Sequence, residues 1–310
     1  MISTSQSRKY FMGGVLIALM GAICFSTKAI IVKLAYRDTT VDAISLLALR
    51  MVFSLPFFAL SAYVSSSKQA NVKFTLRQWF SVAVIGCLGY YISSLLDFLG
   101  LQYVTAGIER LILFIYPTLV MLMSSFIFKE KIKPIQWLAL VITYIGLLIA
   151  FISEVNLRSA QSTNFILGSV LIFICAFTYA AYIVGSGRLI PMVGAAKFNS
   201  YAMSFASIGV LLHYFMNSEI SLMGLDSLVY VYSFLMAILS TVVPSYMVAE
   251  GIKRIGSDNA AIVGSIGPVS TLVLAYFFLQ ETISPFQIVG TVMILFGVLL
   301  VSGQKRKELI

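Results

Sequence analysis

Phe126–Trp137 reads FIFKEKIKPIQW, and Tyr276–Ile288 reads YFFLQETISPFQI. Laid together with a shift of 151 positions (281 − 130), Glu130 falls on Glu281, Ile132 on Ile283, Pro134 on Pro285 and Gln136 on Gln287, four identities within seven residues. The same shift puts Phe126 on Phe277, Pro117 on Pro268, Gly146 on Gly297 and Gly100 on Gly251. Matching Leu and Val would follow from shared apolar composition alone, but Glu-x-Ile-x-Pro-x-Gln would not. The chain holds two copies of one unit.

Outward from these stretches the sequence is apolar almost throughout. Of 310 residues, 60% are hydrophobic and 11% charged, and the mean hydropathy is +0.97. A soluble domain is about half apolar and about a quarter charged, and no soluble fold of this length hides so much apolar surface. Lipid is the solvent, which excludes a soluble enzyme, a nucleic-acid binder and a disordered scaffold. About 20 apolar residues cross a bilayer as a helix. Such runs predict ten spans, at 11–35, 43–64, 79–100, 103–128, 134–152, 165–185, 197–216, 228–250, 257–279 and 285–302. The first follows Arg8 and Lys9 but is too long for a signal peptide and lacks a small-x-small cleavage site, so it counts as a span. The two units cover 11–152 and 165–302.

The basic residues set the expected orientation. Fifteen lie in segments on one side, from Arg8 and Lys9 to Lys305, Arg306 and Lys307, against only Arg37 and Arg158 on the other. Basic residues collect in cytoplasmic loops, so both termini are expected in the cytoplasm of a multi-pass plasma-membrane protein, of the bacterial inner-membrane kind. The net charge of +9 is then a matter of topology and not of a nucleic-acid partner. With five spans per unit, the second copy enters the membrane upside down. Lys129, Lys131 and Lys133 of the first copy accordingly become Gln280, Thr282 and Ser284. Inverted repeats characterise secondary transporters, which rock one repeat against the other around a midplane site.

Ten spans in two five-helix repeats, with a Pro-centred fourth span and an F-x-x-x-E-x-I-x-x-x-Q ending in each half, resemble the EamA-like family of the drug/metabolite transporter superfamily. The resemblance covers nearly the whole chain and implies an all-α helical basket with a central cavity. It further implies secondary transport of small metabolites, often export of amino acids, in a superfamily that also holds uptake permeases and exchangers.

Charges inside spans cost about 2.5–3.5 kcal/mol each on insertion scales, so each needs a reason. Five are singled out: Lys28, Arg50, Asp97, Glu109 and Arg110, all in the outer third of the first repeat and none matched in the second. Two readings stand side by side. In one, the five form a self-satisfied ion-pair network. In the other, Lys28 and Arg110 anchor an anionic group, while Asp97 or Glu109 takes a coupling proton or the substrate's ammonium. Pro117 and Pro268 interrupt spans four and nine near their middles, and matched interruptions point to a transport site. At similar depth, Tyr90, Tyr91, Ser94, Tyr116, Tyr179, Tyr182, Tyr246 and Ser265 are further candidates to line the cavity. Gly14, Ala18 and Ala22 make a small-residue face suited to close helix packing. His213 is expected at an interface and Glu250 in a local salt bridge with Lys253 and Arg254.

No G-x-x-x-x-G-K-[ST] and no H-E-x-x-H occurs, so neither P-loop ATP hydrolysis nor a zinc-protease site is expected. One histidine and three cysteines buried in apolar runs make a metal site or a cofactor unexpected. An intramembrane enzyme remains as a different class, with Asp97 and Glu109 as its only candidate pair. A channel fits five-helix inverted repeats less well than alternating access. The expected partners are the lipid bilayer, a small-molecule metabolite and, where transport is coupled, protons.

Overall fold

The computed structural model describes residues 4–67, 73–104, 106–129, 131–151, 163–218, 220–280 and 285–308. Ten helical rods make up the described chain, with no strand among these residues. They are α1 (Thr4–Asp38), α2 (Ala43–Ser67), α3 (Leu76–Gly100), α4 (Ala106–Leu113 and Tyr116–Phe128), α5 (Pro134–Phe151), α6 (Thr163–Val193), α7 (Ala195–Asn217), α8 (Ser227–Ile255), α9 (Ser257–Leu279) and α10 (Pro285–Glu308). Six, namely α1, α2, α3, α6, α8 and α9, are long and apolar enough to cross a bilayer by length and composition. The breaks between rods follow local chemistry. Asp42 accepts from Ile44 N and Ser45 N at 3.0 Å to start α2, and Thr75 with Gln78 forms a capping box for α3. Gly194 (φ 88) and Gly256 (φ 82) turn the chain in a left-handed conformation between α6 and α7 and between α8 and α9.

The irregularities inside the rods repeat with the 151-residue shift. A π-helical turn covers Cys87–Ile92 in α3 and Ile238–Val242 in α8, starting at matched positions (238 − 87 = 151). α4 breaks before Tyr116–Pro117, and α9 tightens to a 3₁₀ turn at Gly264–Ile266 before Gly267–Pro268. Each proline then occupies the first turn of the next helical segment, where its missing N–H and fixed φ do no harm. Lys129 (φ 56) and Gln280 (φ 58) end the two segments in the left-handed conformation.

The helices pack as an exchanged pair of units. α1 lies against α8 and α9 of the second unit, and its counterpart α6 lies against α3 and α4 of the first. α2 packs on its own counterpart α7, and α5 on α10. On the α2–α7 seam, Ser61 meets Ser200 at 2.8 Å, Ser66 meets Tyr201 at 2.7 Å and Met51 meets Ser207 at 3.5 Å. From Met51 to Ser61 and Ser66 the partner's number falls from 207 to 200 and 201, so these counterparts are antiparallel and the second unit is inverted. Gly251 sits so close to Ala18 that an added Cβ would meet that methyl, which is why a small-residue face was needed on α1. Glu130, Glu281 and the 155–162 loop with Arg158 lie outside the described residues, although α5 and α10 do begin at Pro134 and Pro285.

Candidate functional site

A cavity of about 80 Å³ opens where α1, α3, α4, α6, α8 and α9 converge. Helical spacing supplies its walls. Ala18, Ala22, Phe25 and Lys28 form one face of α1, and Cys175, Tyr179 and Ile183 one face of α6. The π turn of α3 brings in Gly89 and Tyr90, and the break in α9 brings in Gly264, Gly267 and Pro268. Such turns free backbone carbonyls. Those near the cavity are taken up locally: Ser26 Oγ donates to Gly267 O at 3.0 Å and Tyr116 Oη donates to Ala261 O at 3.1 Å.

The body of the cavity is aromatic. Phe25 stacks on Tyr90 with centroids 6.4 Å apart, and Tyr116 meets the edge of Tyr179 at 5.3 Å. One end is charged. Lys28 Nζ lies 2.8 Å from Asp97 Oδ2, and Arg110 Nε lies 3.1 Å from Glu109 Oε2. The cations keep a small exposure, 6% for Lys28 and 8% for Arg110, while both carboxylates have none. Only the cations therefore face the cavity. Behind them the Asp97 and Glu109 carboxyls interact with each other, a contact that becomes a hydrogen bond only when one of them carries a proton. Arg50, fully buried, donates from Nε to Thr241 Oγ1 at 2.6 Å and from Nη1 to Ser94 Oγ at 3.4 Å, with its guanidinium over Phe98. Beyond this end the chain is sealed by Leu46, Leu47, Phe98 and Leu101, none more than 1% exposed. At the opposite end a wider cleft of about 620 Å³ is lined by Lys131, Lys133, Arg188 and Asp258. Gly187 and Ser257 on its wall lie one turn beyond Ile183 and Ala261 of the cavity.

Among the residues singled out from the sequence, Lys28, Tyr90, Ser94, Arg110, Tyr116, Tyr179 and Pro268 line the cavity. Arg50, Asp97 and Glu109 stand behind its charged end. Tyr182 backs the aromatic wall, 4.9 Å from Tyr90, and Pro117 is buried away from it. Two lie elsewhere. Tyr91 bonds His213 Nδ1 at 2.8 Å on the α7 side, and Tyr246 packs on Phe58 and bonds Ser200. The side chain of Ser265 lies outside the described residues. Glu250 does bridge Arg254 at 2.7 Å and Lys253 at 3.6 Å. Sequence reasoning passed over Lys33, a further charge in the first span, which donates to Leu101 O at 2.7 Å. It also passed over the small and apolar lining (Gly89, Gly264, Ala260, Ala261, Val248), whose residue types carry no chemical signal. Among the described residues no three His, Cys, Asp or Glu side chains gather to hold a metal.

A family model described as the EamA-like transporter family matches residues 12–152 and again residues 166–303. The chain is 29% identical over 289 residues to a Bacillus subtilis protein named uncharacterized transporter YcbK, covering 89% of this chain and 88% of that one. It is 25% identical over 318 residues to an uncharacterized transporter of Synechocystis, covering 94% of each. A solved crystal structure shares the fold with a TM-score of 0.73 at 17% identity, covering 93% of this chain and 97% of the other.

Proposed function

The chain belongs to the EamA-like transporter family, and from that premise we propose a secondary transporter of small carboxylate-bearing metabolites, amino acids or related zwitterions and anions, that exports them by alternating access. Membership makes it a multi-pass membrane transporter and not an enzyme. The observation that carries the finer reading is the cavity between two inverted units, with Lys28 and Arg110 facing into it from one end. A metabolite carboxylate is the complement of that end. The direction is supported by the seal at the Asp97 end and the wide cleft at the Lys131 end. Fifteen basic residues against two support a cytoplasmic position for the Lys131 end and both termini. An exporter loads from that side. The adjoining Asp97 and Glu109 carboxyls supply a place for a coupling proton.

An uptake permease or an exchanger would use the same geometry with the gradient reversed, so the experiment must report direction. Purified protein in proteoliposomes is offered a mixed metabolite pool, with and without a pH gradient, and the contents are read by mass spectrometry. Enrichment of one or a few amino acids or related anions, driven by the gradient, is the expected outcome. Contents equal to those of protein-free liposomes under either gradient would refute the proposal.

A further inference from the structure

The cavity is built for one kind of charge. Two cations face into it, and among its described lining residues there is no Asp or Glu. Asp97 and Glu109 neutralise those cations from behind and have no exposure. Arg110 Nη2 is buried and has no hydrogen-bond partner, so its N–H groups are not already spent on the protein. The cluster of Lys28, Arg50, Arg110, Asp97 and Glu109 sums formally to +1 (3 − 2) with all groups ionised. A monovalent anion brings it to zero, a zwitterion leaves it at +1, and a cation raises it to +2. In a buried site an uncompensated charge is expensive.

An α-amino acid meets a second obstacle. Its nitrogen is about 2.5 Å from its carboxyl carbon by standard bond lengths and angle, so a carboxylate held by Lys28 and Arg110 draws an ammonium up to both cations. The Ser93, Ser94 and tyrosine hydroxyls and the aromatic faces offer that ammonium only uncharged partners, and among the described lining residues no carboxylate faces it. Apart from Ser93, Ser94 and Cys175, the remaining wall is apolar or aromatic, with Phe25, Leu113, Phe114, Tyr179, Ile183 and Val248 among it.

Resting on the carrier reading of this cavity, we propose that its solute is a monovalent organic anion with an apolar body, an aryl or branched-alkyl carboxylate, and that free α-amino acids are discriminated against by their ammonium.

A matched series tests this directly. Phenylalanine is 3-phenylpropanoate with an ammonium added, and phenethylamine is phenylalanine without its carboxylate. Binding of the three radiolabelled compounds is measured by equilibrium dialysis against the full chain in nanodiscs, with empty nanodiscs subtracted. 3-Phenylpropanoate is expected to bind at least tenfold more tightly than phenylalanine, and phenethylamine not at all at the same concentration. Arg110→Gln should weaken 3-phenylpropanoate at least tenfold, with Arg110→Lys recovering part of the loss. Phenylalanine binding as tightly as 3-phenylpropanoate, or an unchanged affinity in Arg110→Gln, overturns the inference. If Arg110→Gln does not fold, the ranking on the unaltered protein decides alone. Binding of none of the three also overturns it, but the carrier reading falls only if the mixed metabolite pool likewise yields no transported solute.

Discussion

Lys28 and Asp97 meet at 2.8 Å with almost no access to water, so each is the other's condition for being charged there. Removing one partner of a buried pair leaves an uncompensated charge and costs about 3–5 kcal/mol, whereas replacing both with apolar residues is often neutral. That asymmetry separates a structural pair from a working one. Lys28→Met should lower both the melting temperature and the flux, the latter at least tenfold. Adding Asp97→Leu should restore most of the melting temperature and none of the flux. Melting curves by size-exclusion recovery, beside proteoliposome flux, check this, and wild-type flux in the double variant would make the pair structural only. The charged residues were legible in the sequence because a charge in lipid demands a reason. Their division was not. Glu109 and Arg110 are neighbours pointing about 100° apart on a helix, and which of them faces the cavity depends on how α4 sits against α6. Ala18, Ala260 and Gly264 were invisible as lining for a different reason, since small apolar residues look alike in a packing seam and in a cavity wall.

At the scale of the element, the break in α9 and the ring of Tyr116 are fitted to each other. A Cβ placed on Gly264 would collide with Tyr116 Oη, the atom that donates to Ala261 O. Gly264→Ala should therefore push the ring out of the cavity wall and destabilise the protein by about 1–3 kcal/mol, the usual range for overpacking. Tyr116→Phe removes the colliding oxygen, so the double variant should be more stable than the sum of the two single changes. Additive losses in melting temperature would show that the two residues do not share this contact. The breaks at Pro117 and Pro268 could be read from the sequence because proline cannot continue a helix hydrogen-bond ladder. The matched π turns could not, since CLGYYI and ILSTV contain nothing that forbids an ordinary α-helix, and only the second is followed by a proline, Pro244. Hydropathy did find α7, within the span expected at 197–216, but not its polar seam, in which Asn199, Ser200 and Ser207 meet Ser245 of α8 and Ser61 and Met51 of α2.

At the scale of the whole molecule, the exchange of α1 and α6 between units means that neither unit closes the cavity alone. The charged end is made entirely by the first unit, the backbone break facing it by the second. Inversion was readable from seven residues around Glu130 and their echo around Glu281, together with the lysines that vanish in the second copy. The position of the seal was not readable, because Leu46, Leu47, Phe98 and Leu101 are ordinary apolar residues until the helices assemble. Two inverted units around this cavity, buried at the Asp97 end and approached by a cleft from the other, are the arrangement expected of the proposed carrier facing one side. A carrier must return its site across the membrane between cycles, and solute that loads it on the far side is expected to speed that return. The most direct test is solute counterflow: proteoliposomes are preloaded with a solute identified from the mixed pool, and initial uptake of its labelled form is compared with that into unloaded vesicles. The account predicts severalfold faster uptake into the preloaded vesicles. Equal or slower uptake would contradict alternating access and indicate a pore.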